Sequence, residues 1–202
     1  MSESKGFLDI YSVGCYRFDE KEVDLLMSGS DVIELKKGET LYGADESEKR
    51  VYFLRKGKTK FHMVYPDGSS RITSYSEAPG FLGIINLLPG HNTINHCTAV
   101  THCEVAVCSA EVFMERVREN GLMEKLFQYA IGTARHIYSS LTILMSEDRA
   151  QLVDVLRNEQ MLTLQETADF VGCSRVHVSR ILKQLEEEKE ERGQSSENTA
   201  KN

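Results

Sequence analysis

Residues 163–185 read Thr163-Leu-Gln-Glu-Thr-Ala-Asp-Phe-Val-Gly-Cys-Ser-Arg-Val-His-Val-Ser-Arg-Ile-Leu-Lys-Gln-Leu185, and this stretch decides the fold of the C-terminal part. Thr163 followed three residues later by Glu166 predicts a capping box, in which each side chain accepts from a backbone N–H that a first helical turn leaves unpaired. Ala168 supplies the small side chain that two crossing helices need, and Gly172 can take the left-handed conformation that ends a helix. A turn over 172–174 follows. Ser174 is a good N-cap for a second helix, which sorts its residues into two stripes. Val178, Ile181, Leu182 and Leu185 form an apolar stripe. Arg175, Val176, Ser179, Arg180 and Lys183 form a free one. A helical hairpin with a solvated basic face would show the same charges. It does not require the small residue, the glycine and the apolar positions to coincide as a helix-turn-helix does.

The free stripe suits a DNA groove. Arginine's planar fork can donate two hydrogen bonds to guanine O6 and N7, so Arg175 and Arg180 are the expected base readers, while Lys183 suits phosphate. His177 is left open between packing, phosphate contact and base reading. The expected DNA-contact set is Ser174, Arg175, Val176, Ser179, Arg180 and Lys183.

Gly172-Cys-Ser-Arg-Val-His-Val-Ser-Arg-Ile-Leu-Lys183 resembles the recognition helix of the CRP/FNR family of bacterial transcription regulators. The resemblance implies a cyclic-nucleotide-binding-like β-roll, a long dimerisation helix and a DNA-binding helix-turn-helix. Family members commonly carry an acidic residue directly after the first recognition arginine. Val176 stands there in this chain, so the family's usual half-site does not carry over.

The remaining chain is consistent with that plan. At 202 residues and 41% hydrophobic content it can form one sizeable domain and a small one. A net charge of -7 argues against indiscriminate coating of nucleic acid, so basicity must be local, as it is from Arg175 to Lys183. The start, Met1-Ser-Glu-Ser-Lys-Gly6, lacks a signal peptide's apolar run, and no segment approaches the roughly 20 apolar residues of a membrane span. A cytoplasmic protein without membrane contact is expected.

Between Asp31 and Ser109 short β-prone runs alternate with glycine breaks: Val51–Leu54, Thr59–Val64, Arg71–Tyr75, His96–Val100 and Val105–Cys108. Pro66-Asp67-Gly68 is a hairpin turn, and Gly38, Gly57, Gly80 and Gly83 fall at similar breaks. The rhythm predicts an antiparallel, jelly-roll-like β-roll. By resemblance, Gly80-Phe-Leu-Gly83 leads into the family's phosphate cassette. In nucleotide-binding members that cassette begins Gly-Glu-Leu, with an arginine after a short loop. The glutamate holds the ribose hydroxyl and the arginine pairs with the phosphate. Here the cassette begins Gly83-Ile84-Ile85, and no lysine or arginine lies between Phe81 and Glu104. A buried cyclic phosphate would lack a cation, which argues against a cyclic nucleotide. Gly83, Ile84, Ile85, Asn86 and Leu87, with the run on to Asn92, suit an uncharged or aromatic small-molecule effector, or else fill the core.

Five cysteines at irregular spacing do not make a disulfide framework and are expected as reduced thiols. His91, His96 and His102 with Cys97, Cys103 and Cys108 invite a metal or haem reading. No Cys-x-x-Cys or His-x-His is present, however, and Cys103 and Cys108 should point to opposite faces of a strand. The family's iron–sulfur members use several N-terminal cysteines, and only Cys15 stands in that region. No metal site, cofactor or catalytic constellation is expected, and the chain is not read as an enzyme.

After Met123, Phe127, Ala130, Ala134, Ile137, Leu141 and Leu144 fall three and four residues apart, a heptad seam suited to an identical partner helix. A further helix is expected over Arg149–Arg157. The family's β-hairpin between these helices, and its wing after the recognition helix, are shortened or missing.

The fold class is therefore α+β. It comprises a β-roll over 1–120, a dimerisation helix over 121–147, a helix-turn-helix domain over 148–188 and a disordered polar tail over 189–202. The expected partners are double-stranded DNA, a second copy of the chain and a small-molecule effector, with RNA polymerase left open. Two alternatives remain: a ligand-binding roll with impaired DNA binding, and a haem or thiol redox sensor.

Overall fold

A computed structural model describes residues 18–44, 49–87, 93, 95–144, 148–159 and 162–199, without the side chains of 85, 86, 136, 137, 139–144, 158, 159 and 189–199. Cys15, Leu88, His91 and Asn92 lie outside the described residues. The chain divides into two compact units between Ser140 and Leu141.

The first unit opens with helix α1 (Glu20–Leu26), and its strands are β1 (Asp31–Leu35), β2 (Thr40–Tyr42), β3 (Arg50–Lys56), β4 (Lys58–Val64), β5 (Ser70–Glu77), β6 (Gly80–Leu82), β7 (His96–Ala99) and β8 (Cys103–Ser109). They form two antiparallel four-stranded sheets in the orders β1-β8-β3-β6 and β2-β7-β4-β5. Helices α2 (Ala110–Glu119) and α3 (Met123–Leu144) follow.

The alternation of side chains along β3 and β8 builds two cores from one sheet. Tyr52, Leu54, Cys103 and Val105 face the second sheet and pack with Tyr42, Leu82, Cys97 and Ala99. Val51, Phe81, Ala106 and Cys108 face the other way and pack under Leu26, Phe113, Val117, Leu126 and Tyr129 of the three helices. Each fully buried Val, Leu or Phe among these stabilises the unit by roughly 1.5–3 kcal/mol.

The expected strands and turns are present, with local differences. At the Pro66 turn, Asp67 Oδ1 accepts from Ser69 N (2.9 Å) and Oγ (2.6 Å). Gly57 has φ +96°, and a Cβ there would sit 2.3 Å from His102 O, so this break admits only glycine. Gly80, expected at a break, instead begins β6 and pairs with Leu54. That strand lies at a sheet edge, and the Tyr129 hydroxyl 48 residues on bonds to both Phe81 N and Phe81 O at 3.1 Å, satisfying edge groups that a local pattern cannot reveal.

The second unit contains α4 (Arg149–Asp154), a π turn (Val155–Glu159), α5 (Leu164–Val171) and α6 (Arg175–Thr199). The helix expected over Arg149–Arg157 is thus α-helical only to Asp154. Among the described residues no strand follows Ser109. The tail expected as disordered from 189 is helical to Thr199: Lys189, Glu190, Glu191 and Arg192 are good helix formers, whereas Gly193 and the serines that follow are not, and no proline stops α6.

Candidate nucleic-acid interface

The capping box closes the start of α5, with Thr163 N donating to Glu166 Oε2 (2.8 Å) and Glu166 N to Thr163 Oγ1 (3.2 Å). At its other end Gly172 adopts φ +73°, and the Gly172 and Cys173 N–H groups both donate to Ala168 O. Ser174 Oγ then accepts from His177 N (3.2 Å), setting the first turn of α6. Val153 of α4, Ala168 of α5, and Val178 and Ile181 of α6 are buried against each other, with Leu182 and Leu185 at the margin. One side of α6 is therefore fixed by packing.

The other side is open. Ser174, Arg175, Val176, Ser179, Arg180 and Lys183 are all exposed, and His177 is half-buried between the two sides. Among the described residues, the guanidinium groups of Arg175 and Arg180 are in no ion pair or side-chain hydrogen bond. Lys183 lies 3.6 Å from Glu187, an exposed pair worth about 0.3–0.5 kcal/mol that a phosphate can displace. Five of the six expected contact residues, Arg175, Val176, Ser179, Arg180 and Lys183, thus lie on one face of α6, and Ser174 caps its start. The charge along α6 is uneven: Arg175, Arg180 and Lys183 stand in its first three turns with no acidic residue among them, and the following segment 186–192 carries five glutamates against Lys189 and Arg192. At about 1.5 Å per residue, Glu186 is roughly 16 Å beyond Arg175. A helix so charged attracts phosphate near its N-terminal end and repels it along its acidic half.

On α3, Leu126 and Tyr129 face the core, whereas Phe127 is 66% exposed, Ile131 47% and Tyr138 74%, with Met123 and Ala134 also exposed. These five are four, four, three and four residues apart and make a continuous apolar stripe. Ala130, expected in the seam, packs on the core of its own unit. The exposed stripe shares Phe127 and Ala134 with the expected seam and adds Ile131 and Tyr138, because three-and-four spacing does not reveal which stripe a helix gives to its own domain. Ile137, Leu141 and Leu144 lie in α3, but their side chains are outside the description.

In the cassette, Gly83 has φ +83° and Ile84–Leu87 form a 3-10 turn. Ile84 is buried in the core under the helices, and Leu87 packs against it. Their side chains are spent on packing, and those of Ile85 and Asn86 are outside the description.

Cys103 and Cys108 face opposite sides of their sheet. Burial, reinforced by Cys103, pushes the Cys97 thiol up to about 12, although the neighbouring Thr59 hydroxyl works against this, so it is a poor thiolate donor. Among the described residues, Cys97, Cys103, Cys108 and Cys173 are free, and no three His, Cys, Asp or Glu side chains form a metal site. Among the described residues no helix is long and apolar enough to cross a membrane.

Two family models match successive parts of the chain: a cyclic nucleotide-binding domain over residues 32–120 and the crp family of bacterial regulatory proteins over 161–189. A global nitrogen regulator of Nostoc sp. is 27% identical over 172 residues, covering 76% of this chain and 77% of the relative. The cAMP-activated global transcriptional regulator CRP of Salmonella typhimurium is 29% identical over 168 residues, covering 74% and 79%. Among solved structures, the c-di-GMP responsive global regulator CLP of Xanthomonas campestris superposes with a TM-score of 0.68 at 17% identity, covering 84% of this chain and 93% of its own. The catabolite activator protein of Thermus thermophilus gives 0.53 at 21% identity, covering 88% of each. These two likenesses show the fold, and the relatives matched by sequence are transcription regulators rather than enzymes. With both family models matched in order along a roll and a helix-turn-helix, this chain belongs to the CRP/FNR family of DNA-binding transcription regulators.

Proposed function

We propose that the protein is a homodimeric, effector-responsive regulator that reads a pseudo-palindromic promoter site. The observation that carries this reading is the free face of α6, where Arg175, Val176, Ser179, Arg180 and Lys183 are presented by a helix whose opposite side is packed and whose start Ser174 caps. Arg175 and Arg180 read base edges, Ser174 and Ser179 add shorter hydrogen bonds, and Lys183 holds phosphate. The exposed stripe Met123, Phe127, Ile131, Ala134 and Tyr138 supports pairing through α3, within the dimerisation segment 121–147. A two-fold dimer presents two copies of α6 to half-sites about 34 Å apart, one turn of DNA.

The effector is a small, uncharged or aromatic molecule rather than a cyclic nucleotide, held beside the cassette at Gly83, Ile85 and Asn86, with Ile84 and Leu87 forming the packed floor. Supporting this, Ile84 fills the core where nucleotide-binding relatives place a ribose-holding carboxylate, and the cassette carries no cation for a phosphate. Effector contacts that differ between two dimer arrangements shift the population able to bind the operator.

Selection from a random duplex pool followed by mobility shift tests the reading. A pseudo-palindrome bound by the wild type and lost in Arg175→Ala and Arg180→Ala is expected. Binding with no sequence preference would overturn it. A roll that binds ligand without operator preference would instead favour the impaired-module alternative. That alternative is motivated by the lack of a strand after Ser109 among the described residues.

A further inference from the structure

We propose that Val176 is a base-selecting residue that reads the C5 methyl of a thymine, so that each half-site contains a T·A pair within about two base pairs of a guanine read by an arginine. The inference rests on α6 being the recognition helix and adds what that helix selects.

Val176 is 69% exposed in the first turn of α6. A single exposed valine on a protein surface is unremarkable in itself. The neighbourhood is what distinguishes this one: Arg175 precedes it, Ser179 and Arg180 lie one turn on, and Lys183 continues the same edge, all of them exposed. Every neighbour on that edge donates hydrogen bonds, and Val176 alone neither donates nor accepts. Its branched side chain has one favoured χ1 in a helix, so it projects in a fixed direction. It packs on no core, because the apolar face of α6 is formed by Val178, Ile181, Leu182 and Leu185 on the other side.

In the major groove each base pair is distinguished by donors and acceptors, with one apolar exception, the thymine methyl. An aliphatic side chain carried into the groove between two arginine forks desolvates whatever it meets. Opposite a cytosine amino group or a guanine acceptor it leaves that group without a partner, and opposite thymine it buries a methyl group. Val176 therefore favours T·A both by what it gains there and by what it costs elsewhere. Residues four apart on a helix have Cβ atoms about 5–6 Å apart, and successive phosphates on one strand rise about 3.4 Å. The pair met by Val176 thus lies within about two steps of the pair met by Arg180.

The experiment replaces each thymine of a selected operator singly with deoxyuridine, which removes only the C5 methyl, and measures affinity by fluorescence anisotropy at fixed salt. One position per half-site should be sensitive, losing about fourfold in affinity there and about 15-fold when both half-sites are substituted, the effect of withdrawing one methyl contact each. Val176→Asn, an exposed change that leaves the core intact and replaces the aliphatic surface by a polar amide, should abolish this sensitivity. Val176→Glu should move the preference at that pair to C·G, because a carboxylate accepts from cytosine N4. Arg180→Ala should weaken binding while keeping the deoxyuridine effect. Operator binding that is indifferent to every thymine-to-deoxyuridine change overturns the assignment of Val176 and leaves the regulator reading standing. Absence of any sequence-preferring binding by the wild type overturns both.

Discussion

Replacing Phe127 by alanine should break the dimer while leaving the protomer folded. The ring is 66% exposed on α3 beside Ile131 and Tyr138. A phenylalanine offers about 200 Å² for burial, so about 130 Å² remains for a partner. At roughly 25 cal/mol per Å² that surface is worth about 3 kcal/mol, of which alanine retains about a third, leaving a loss of about 2 kcal/mol per copy. Two-fold symmetry counts the loss twice, about 4 kcal/mol in all, or about a thousandfold in the dimer Kd. Sedimentation equilibrium from nanomolar to micromolar protein reads the constant directly. Circular dichroism should show an unchanged fold, because an exposed substitution of this kind alters stability within about 0.5 kcal/mol. Val112→Ala, an exposed aliphatic change on α2, serves as the control and should leave the constant unaltered. A Phe127→Ala dimer as tight as the wild type would refute pairing through this stripe and remove the geometric basis for a two-fold operator.

Thr163→Ala removes the acceptor for Glu166 N and should destabilise the C-terminal unit by about 1 kcal/mol, seen as a lower denaturation midpoint with Arg175 and Arg180 untouched. His62 is held below its ordinary 6.5 by burial first, then by the charges of His96 and Lys60, so the unfolded chain binds the proton more tightly. Its contribution is present above 6.5 and is lost as pH falls through the folded-state value. Wild-type thermal stability should therefore drop below that pH, and the drop should be smaller in His62→Gln; equal slopes would contradict the assignment. Because the Cys97 thiol is pushed up to about 12, iodoacetamide at pH 8 should leave Cys97 unmodified in the native protein and label it after unfolding, as read by mass spectrometry. Rapid native labelling would revive a thiol-sensing reading.

The C-terminal unit was readable from sequence because its determinants are local. The Thr163–Glu166 box, Ala168, Gly172 and Ser174 act within a few residues of one another, and each has the role its chemistry predicts. The strands of the roll were equally legible where glycines with positive φ, such as Gly57, interrupt β-branched and aromatic runs. What escaped depends on distant partners. β6 is three residues long and has its edge satisfied by Tyr129, so Gly80 looked like a break. On α3 the expected seam and the exposed stripe share Phe127 and Ala134 and part at Ala130, which packs on its own unit, and Ile131, which is exposed; only the packed roll distinguishes these faces. The helical course of α6 beyond residue 188 was missed because a segment without an apolar stripe was equated with disorder, whereas helix propensity suffices to continue an established helix. In the cassette, Ile84 and Leu87 read equally well as ligand lining or as core, and packing shows them in the core.

The most direct measurement is the affinity ratio between a selected operator and a scrambled duplex of the same length at one salt concentration, for the wild type, Arg175→Ala and Arg180→Ala. The account predicts a wild-type preference of at least about a thousandfold, with each arginine change costing about 1–3 kcal/mol per base contact on the operator and much less on the scrambled duplex. A wild-type dimer that binds both duplexes equally, or arginine variants that retain the preference, would contradict it.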